Sequence, residues 1–346
     1  MAAKAAGQAG EARPLATPPA RPQVQWLSVD AAHEGQRLDN YLLAALRGVP
    51  KTRIYRMIRK GEVRVNGSRG RAEQRVAPGD QVRVPPLQAL PQTAQRPGPA
   101  RGGAPLDDRH IRILYEDEDL LVVDKSAGLA VHGGSGIQAG LIERLRASRP
   151  DAPFLELAHR LDRDTSGLLV IGKRRPALLA LHRMFAEGRV KKRYLAIAKG
   201  YWGRPAPVLV QFPLLRYLTP EGERRVRVSA EGQPSATRFT RLQSLDCTGV
   251  PGLPPHCALM ACELLTGRTH QIRVHLAHSG HPILGDEKYG DFTLNKKLEV
   301  LGYNRMFLHA FQLEMKHPKK ELLLKLEAPM PEAFAAFATR FAEDRS

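Results

Sequence analysis

The sequence has 346 residues, of which 42% are hydrophobic and 25% are charged, a composition typical of a soluble globular protein. No apolar stretch approaches the roughly 20 residues that a membrane-spanning helix needs, and this excludes a membrane protein. Lys and Arg outnumber Asp and Glu by 53 to 35, and the formal net charge of +18 favours a polyanionic partner such as RNA or DNA.

The cysteines and the N-terminus bear on the cellular compartment. The 3 cysteines form no CxxC pair and are too few for a disulfide framework in a chain of this length. The N-terminus lacks the apolar core of a secretory signal, and its Ala- and Pro-rich composition is typical of disorder. We therefore expect a cytoplasmic protein with a disordered tail at residues 1–30.

Residues 31–86 have the pattern of a small α+β domain. One helix is predicted to begin near Arg37, and a second is predicted from Pro50 to a C-cap at Gly61. Two strand-like segments follow, the first ending at the turn pair Asn66-Gly67. The second helix is amphipathic, and a basic helix face is often merely solvated. Its cations are Arg53, Arg56, Arg59 and Lys60.

This region also resembles the RNA-binding module named after the fourth small-subunit ribosomal protein. The resemblance rests on the motifs RLDNYL, GEVRVNG and GDQVRV and on the basic helix between the first two. It implies that the four cations of that helix bind RNA.

The rest of the chain divides into a linker and a larger domain. Residues 87–108 are rich in Pro, Gly, Gln and Ala, show no periodicity and are predicted to be a flexible linker. Within residues 109–340, short apolar strands alternate with helices, one of which opens at Pro176 and ends at Gly188. This alternation predicts an α+β domain on a mixed sheet.

The segment HRLDRDTSG at residues 159–167 places an acid, Asp162, among bases in a turn between two apolar runs. Functional groups often lie on such loops, because a rigid sheet holds them in place. An ordinary turn explains Asp followed by Thr, Ser and Gly about equally well.

A second segment, TGRTHQIRVHL at residues 266–276, offers donors suited to a carboxylate or a phosphate in Arg268, Gln271 and Arg273. Thr269 is predicted to cap a short helix here. A buried arginine beside an aspartate would favour the ionised acid and hold its orientation.

Metal and nucleotide sites are not indicated. The histidines of residues 270–281 have no neighbouring Cys or acidic residues that complete a zinc site of known spacing. The glycines of residues 133–136 complete neither a P-loop nor a dinucleotide fingerprint. We expect no metal and no cofactor.

Motifs in separate parts of the chain resemble the ribosomal large-subunit pseudouridine synthases of the RluA type. They are GLAVHGG at 128–134, HRLDRDTSG at 159–167, KKRYLA at 191–196, and GRTHQIRVHL with GHPILGDEKYG within 267–290. With the N-terminal module they span about residues 31–320, and the order of domains most resembles the RluC branch. The resemblance implies an α+β pseudouridine synthase catalytic domain with a mixed, largely antiparallel sheet and a catalytic cleft.

The same resemblance implies roles for individual residues. Asp162 would be the catalytic aspartate, Tyr194 the aromatic residue that stacks on the target uracil, and Arg273 the ion-pair partner of Asp162. Arg160 would help to displace or replace the flipped base. Arg268, His270 and Gln271 are further candidates for RNA contact. One departure is Ser126-Ala127, where the family commonly has proline, so the rigidity of that loop is in question.

The leading hypothesis is therefore a cofactor-free isomerase that converts specific uridines of large-subunit (23S) ribosomal RNA to pseudouridine. Its partner would be that RNA or an assembly intermediate, and no coiled-coil heptads argue for more than a monomer. Two alternatives remain open: a ribosome-assembly factor whose site is idle, and another nucleic-acid enzyme such as a glycosylase or a methyltransferase. The chain has no methyl-donor glycine motif, which weakens the methyltransferase.

Overall fold

A computed structural model of the chain shows two compact units, residues 1–101 and 102–346. Each unit has its own hydrophobic core. The structure describes residues 23–30, 33–46, 49–87, 111–133, 139–203 and 206–342.

The smaller unit places two helices against a four-stranded antiparallel sheet of order β1-β4-β2-β3. Helix α2 ends at Gly61, whose φ of +72° is the left-handed conformation predicted for its C-cap. Ile54, Met57 and Ile58 of α2 are buried, as its apolar periodicity predicts. The elements are β1 (Gln25–Ser28), α1 (Leu38–Ala45), α2 (Lys51–Lys60), β2 (Arg64–Val65), β3 (Ser68–Arg69) and β4 (Gln81–Val84).

The predicted boundary of the N-terminal tail is wrong. Gln25–Ser28 pair with Gln81–Val84 along the whole of β4, and Val29 is buried in the core of this unit. The cause is that β4 has a free edge, which β1 covers with main-chain hydrogen bonds that need no sequence signature. The rest of the predicted tail and most of the predicted linker lie outside the described residues.

The larger unit is built on a 10-stranded sheet with the path β10-β13-β14-β9-β15-β8-β6-β5. Strands β16 and β7 pair with β15 and β8 beside this path. The strands of this sheet are β5 (Arg112–Glu116), β6 (Leu120–Lys125), β7 (Glu156–Leu157), β8 (Ser166–Gly172), β9 (Lys191–Lys199), β10 (Val208–Val210), β13 (Thr237–Asp246), β14 (His256–Leu264), β15 (Leu308–Lys316) and β16 (Leu323–Glu327).

The predicted mixed, largely antiparallel sheet is confirmed. Among the strand pairs of the described residues, only β15 and β8 run parallel. Every residue of β8 is buried, as expected for a strand covered on both faces. The helices of this unit are α3 (Leu141–Ser148), α4 (Arg175–Ala186), α5 (Gln271–His278), α6 (Phe292–Val300) and α7 (Glu332–Arg340). None of the described helices is long and apolar enough to cross a membrane.

A separate two-stranded hairpin, β11 (Leu214–Leu218) and β12 (Arg224–Val228), stands apart from the main sheet. An isolated hairpin is marginally stable in water, so it needs support. Leu214 and Val226 supply it by packing on Val274 of α5, and Tyr289 contacts the same cluster. The hairpin is thereby attached to the helix that begins beside Asp162.

Candidate active site

The loop that carries Asp162 connects two neighbouring strands of the sheet. Strand β7 pairs with β8, and residues 158–165 form the connection between them. The main-chain N–H of Thr165 donates to the carbonyl of Asp162 at 3.2 Å, which closes a tight turn. Gly167, the second residue of β8, has a φ of +107°, and a Cβ on it would lie 2.3 Å from the carbonyl oxygen of Ala310 on β15. Only glycine fits this crossing.

Lys125, the last residue of β6, bonds both to the Asp162 loop and to the segment that follows β6. Its fully buried ammonium donates to the carbonyls of Ser126, Leu129 and Arg163 at 2.8–2.9 Å. Burial lowers the pKa of Lys125 to about 8. These hydrogen bonds therefore also restrain the segment after β6, which has Ser126-Ala127 where the family commonly has proline.

Arg273 of α5 joins two carboxylates. Its Nη1 donates to Oδ2 of Asp162 at 2.8 Å, while Nε and Nη2 form a two-pronged contact with Asp286 at 2.8 and 2.7 Å. Burial alone would lower the pKa of Arg273, but the two carboxylates outweigh it and raise that pKa. The same ion pair keeps the pKa of the buried Asp286 low against the opposing effect of burial. Arg273 is charged and rigidly oriented.

The start of α5 differs from the prediction. Its N-cap is His270, in the left-handed conformation with φ of +53°, and not Thr269. The Gln271 amide holds the turn that precedes the helix: its Oε1 accepts from the N–H of Arg268 and from the Thr266 hydroxyl. Its Nε2 donates to the main chain of residue 236 and to a hydroxyl of residue 237. Gln271 is buried and its polar atoms are engaged in holding this turn, and its contact with RNA stays a prediction.

His270 is directed at Asp162. Its Nε2 lies 3.7 Å from Oδ1 of Asp162, and its Nδ1 shares a 2.7 Å hydrogen bond with the hydroxyl of Tyr289. Burial lowers the pKa of His270, although the charge of Asp162 opposes the shift. The ring is therefore neutral at physiological pH.

Tyr194 lies on β9, two strands from β8 across β15, and is nearly buried. Burial, with a smaller contribution from the charge of Asp162, raises the pKa of Tyr194, so the hydroxyl stays protonated at neutral pH. Its ring forms part of the wall of a cavity of about 640 Å³. That volume is within the range of small-ligand sites.

The same cavity brings together residues from distant motifs. Asp162, Tyr194 and Arg273 all line it, as do the predicted RNA-binding residues Arg160, Arg268, His270 and Gln271. Asp162 remains 29% exposed on its side chain and so is open to a ligand. The remaining predicted RNA-binding residues belong to the smaller unit, where all are exposed on α2: Arg53, Arg56, Arg59 and Lys60.

Sequence reasoning missed two residues of this site. Asp286 and Tyr289 both lie in the motif GHPILGDEKYG, but their spacing gives no sign that they contact Arg273 and His270. The Tyr289 ring lies beneath the Arg273 guanidinium at 5.2 Å, and its hydroxyl accepts from the N–H of Val226 in the hairpin. The one sequence signal for Asp286 is that this carboxylate directly follows a glycine in a loop.

Among the residues that the structure describes, one group of acceptors has spacing compatible with a metal ion: Asp117, Asp119 and His317. The Asp117 carboxylate already accepts hydrogen bonds from Lys320 at 3.0 Å and from the hydroxyl of Tyr115 at 3.0 Å. A cation would have to displace the Lys320 ammonium, so we assign this group to packing. The absence of a functional metal stays a prediction.

Comparisons with known proteins agree with the geometry. The sequence model of the RNA pseudouridylate synthase family matches residues 119–278, and that of the S4 domain matches residues 36–82. Ribosomal large subunit pseudouridine synthase C of Yersinia pestis is 46% identical over 310 residues, which cover 89% of this chain and 93% of that protein. The protein of the same name from Escherichia coli (strain K12) is 46% identical over 90% of this chain and 94% of its own length.

A solved structure leads to the same family. Human RNA Pseudouridylate Synthase Domain Containing 1 superposes with a TM-score of 0.55 at 27% identity, covering 70% of this chain and 91% of that chain. The family resemblance, the RluC branch and the paired small and large domains are confirmed. The chain belongs to the RNA pseudouridine synthase family, on the branch that carries the ribosomal large subunit pseudouridine synthases C.

Proposed function

We propose that this protein isomerises specific uridines of large-subunit ribosomal RNA to pseudouridine, with Asp162 as the catalytic carboxylate. The single observation that carries the proposal is the cavity in which Asp162, Arg273 and Tyr194 converge from separate motifs. The substrate class is taken from the names of the relatives that match most of this chain.

The reaction suits a site with one reactive carboxylate. It breaks the bond between N1 and the ribose, turns the base, and joins C5 to the same ribose carbon, without redox change or hydrolysis. A glycosidase needs two carboxylates because a water and a leaving group must both be handled. Here the detached base is also the returning nucleophile. Among the described residues that line the cavity, Asp162 is the only acid.

The other groups orient and hold the nucleotide. Arg273 fixes the Asp162 carboxylate by a charged hydrogen bond at 2.8 Å. The Tyr194 ring stacks on the uracil of a uridine that has left its helix. Arg160 is exposed at the cavity and takes the place that the base has vacated, while Arg268 and His270, which also line the cavity, contact the RNA.

The smaller unit adds affinity without reading the sequence. Its exposed cations on α2, namely Arg53, Arg56, Arg59 and Lys60, contact phosphates. We propose that the protein acts in the cytoplasm as a monomer on ribosomal RNA or an assembly intermediate. The reaction as written requires no metal or cofactor.

The test is tritium release from large-subunit ribosomal RNA labelled at uracil C5, since isomerisation removes that hydrogen. We expect the D162N protein to release none above background. D164N is the matched control, because Asp164 lies on the same loop and pairs with the exposed Arg163 outside the cavity. Release by D162N at the rate of D164N would refute the role of Asp162.

A further inference from the structure

Lys192 is a cation in the cavity wall for which the chemistry above has no use. It lies on β9 two residues before Tyr194, and the two side chains point to the same side because side chains alternate along a strand. Both line the cavity that contains Asp162. Lys192 is half-buried, and burial lowers the pKa of its ammonium.

The surroundings of Lys192 are apolar or uncharged. Its Nζ lies 6.0 Å from the centre of the Phe185 ring, and Leu264 is its partner on the neighbouring strand. A Cβ on Gly267 would lie 3.7 Å from the ammonium. Within the described part of the chain Lys192 has no ion pair, and the acid that lines the cavity, Asp162, is bound by Arg273.

The other lysines of the same strand are different. Lys191 pairs with Glu314 at 2.8 Å, and Lys199 pairs with Asp291 at 2.7 Å. Strand β9 therefore has a carboxylate partner for exposed Lys191 and for half-buried Lys199, whereas half-buried Lys192 has none among the described residues. A partly desolvated ammonium without a counter-charge is unfavourable, and an anion that enters the cavity would offset that cost.

We propose that Lys192 binds a backbone phosphate beside the flipped-out uridine. The ammonium is a compact charge that suits a phosphate oxygen, and its position next to Tyr194 places that phosphate within one nucleotide of a base stacked on the ring. The inference rests on the proposed function, because the phosphate belongs to the RNA substrate. It adds a contact that fixes the target nucleotide itself, separate from the cations of the smaller unit.

The experiment measures binding of a large-subunit ribosomal RNA transcript over a series of salt concentrations. All proteins carry D162N so that turnover does not interfere. K192M is compared with K191M, which removes the same charge from the adjacent residue on the opposite side of the strand. Each lost phosphate contact on single-stranded RNA lowers the slope of log Kd against log salt by about 0.7–1. We expect that change, and roughly tenfold weaker binding at low salt, for K192M alone.

Two further readouts separate binding from a structural role. In proteins that retain Asp162, the K192M substitution should raise KM and leave kcat nearly unchanged. K192R should keep KM near that of the parent because it keeps the cation. The Tm of K192M should not fall, since methionine fills the same space without a buried charge. A lower Tm, or a loss of kcat at unchanged KM, would overturn the proposal.

The result can be distinguished from failure of the proposed function. Tritium release by the unmodified protein is measured on the same transcript. Absence of release would count against the function alone, because the salt series does not depend on turnover. A salt slope for K192M equal to that of the parent, or a change of equal size in K191M, would overturn the phosphate contact while the isomerase activity stood.

Discussion

The Asp162 carboxylate is oriented by a guanidinium that is itself oriented by another acid. Nη1 of Arg273 donates to Asp162, and Nε and Nη2 of Arg273 donate to Asp286, which is completely buried. Catalysis by a single carboxylate depends on its placement to within a fraction of an ångström. The position of Asp162 therefore depends on Asp286, which does not line the cavity.

D286N should reduce kcat at least tenfold and lower the free energy of unfolding by about 3 kcal/mol, because it leaves a buried guanidinium without its main counter-charge. Tritium release and urea unfolding measure the two effects. D291N is the control: that acid is more exposed, caps α6 and pairs with Lys199, so its loss should cost about 1 kcal/mol or less and leave kcat unchanged. Full kcat in folded D286N would show that Asp162 needs no such support.

Individual residues were predictable where a motif carried them. Asp162, Tyr194 and Arg273 were identified from the family resemblance, and they line one cavity. The hydrogen bonds of Gln271 could not be predicted, because a donor's type does not reveal which main-chain groups it contacts. Its amide oxygen accepts from the N–H of Arg268, just before the left-handed residue His270.

At the scale of elements, the parallel contact between β8 and β15 fixes the end of the catalytic loop. Ser166 lies opposite His309, and their side chains share a 2.9 Å hydrogen bond that is fully buried. Arg305 donates to the same hydroxyl at 2.7 Å. Burial lowers the pKa of His309 to about 4. The ring is therefore neutral in the folded protein over a range in which it would be protonated in the unfolded chain.

This junction should make the protein sensitive to acid. Between the ordinary histidine pKa of about 6.5 and the folded value, the unfolded state binds the extra proton, so stability is full above pH 6.5 and falls as the pH falls. The contribution of His309 at pH 5 is a loss of about 2 kcal/mol relative to pH 7. Urea unfolding at both pH values should show a smaller loss in H309Q, and equal losses in both proteins would contradict the assignment.

Whole elements were predictable in proportion to their apolar periodicity. Helices α2 and α4 lie close to their predicted positions because each buries a continuous apolar face. Strand β1 was missed because Gln25–Ser28 is mostly exposed, and its pairing with β4 uses the main chain. The hairpin β11–β12 was missed because its few buried side chains pack on α5, which is distant in sequence.

At the scale of the whole molecule, the net charge of +18 is divided between units that have separate cores. The core of the larger unit is made of residues from position 120 onward, so it does not depend on the smaller unit. Removal of residues 1–90 should therefore leave the larger unit folded, with its thermal unfolding intact in circular dichroism. The disorder of residues 1–22 and the flexibility of the linker stay predictions, because nearly all of those residues lie outside the described ranges.

The same truncation should weaken RNA binding and flatten its dependence on salt. If Arg53, Arg56, Arg59 and Lys60 each contact a phosphate, their loss lowers the slope of log Kd against log salt by about 3, because each contact releases roughly 0.7–0.9 of a counterion. Replacement of these four residues by Gln in the full chain should reproduce most of the change, since it removes the charge of α2 and retains its buried face. An unchanged slope in both proteins would mean that the cations around the catalytic cavity supply the electrostatic binding, and that the smaller unit recognises RNA by other contacts.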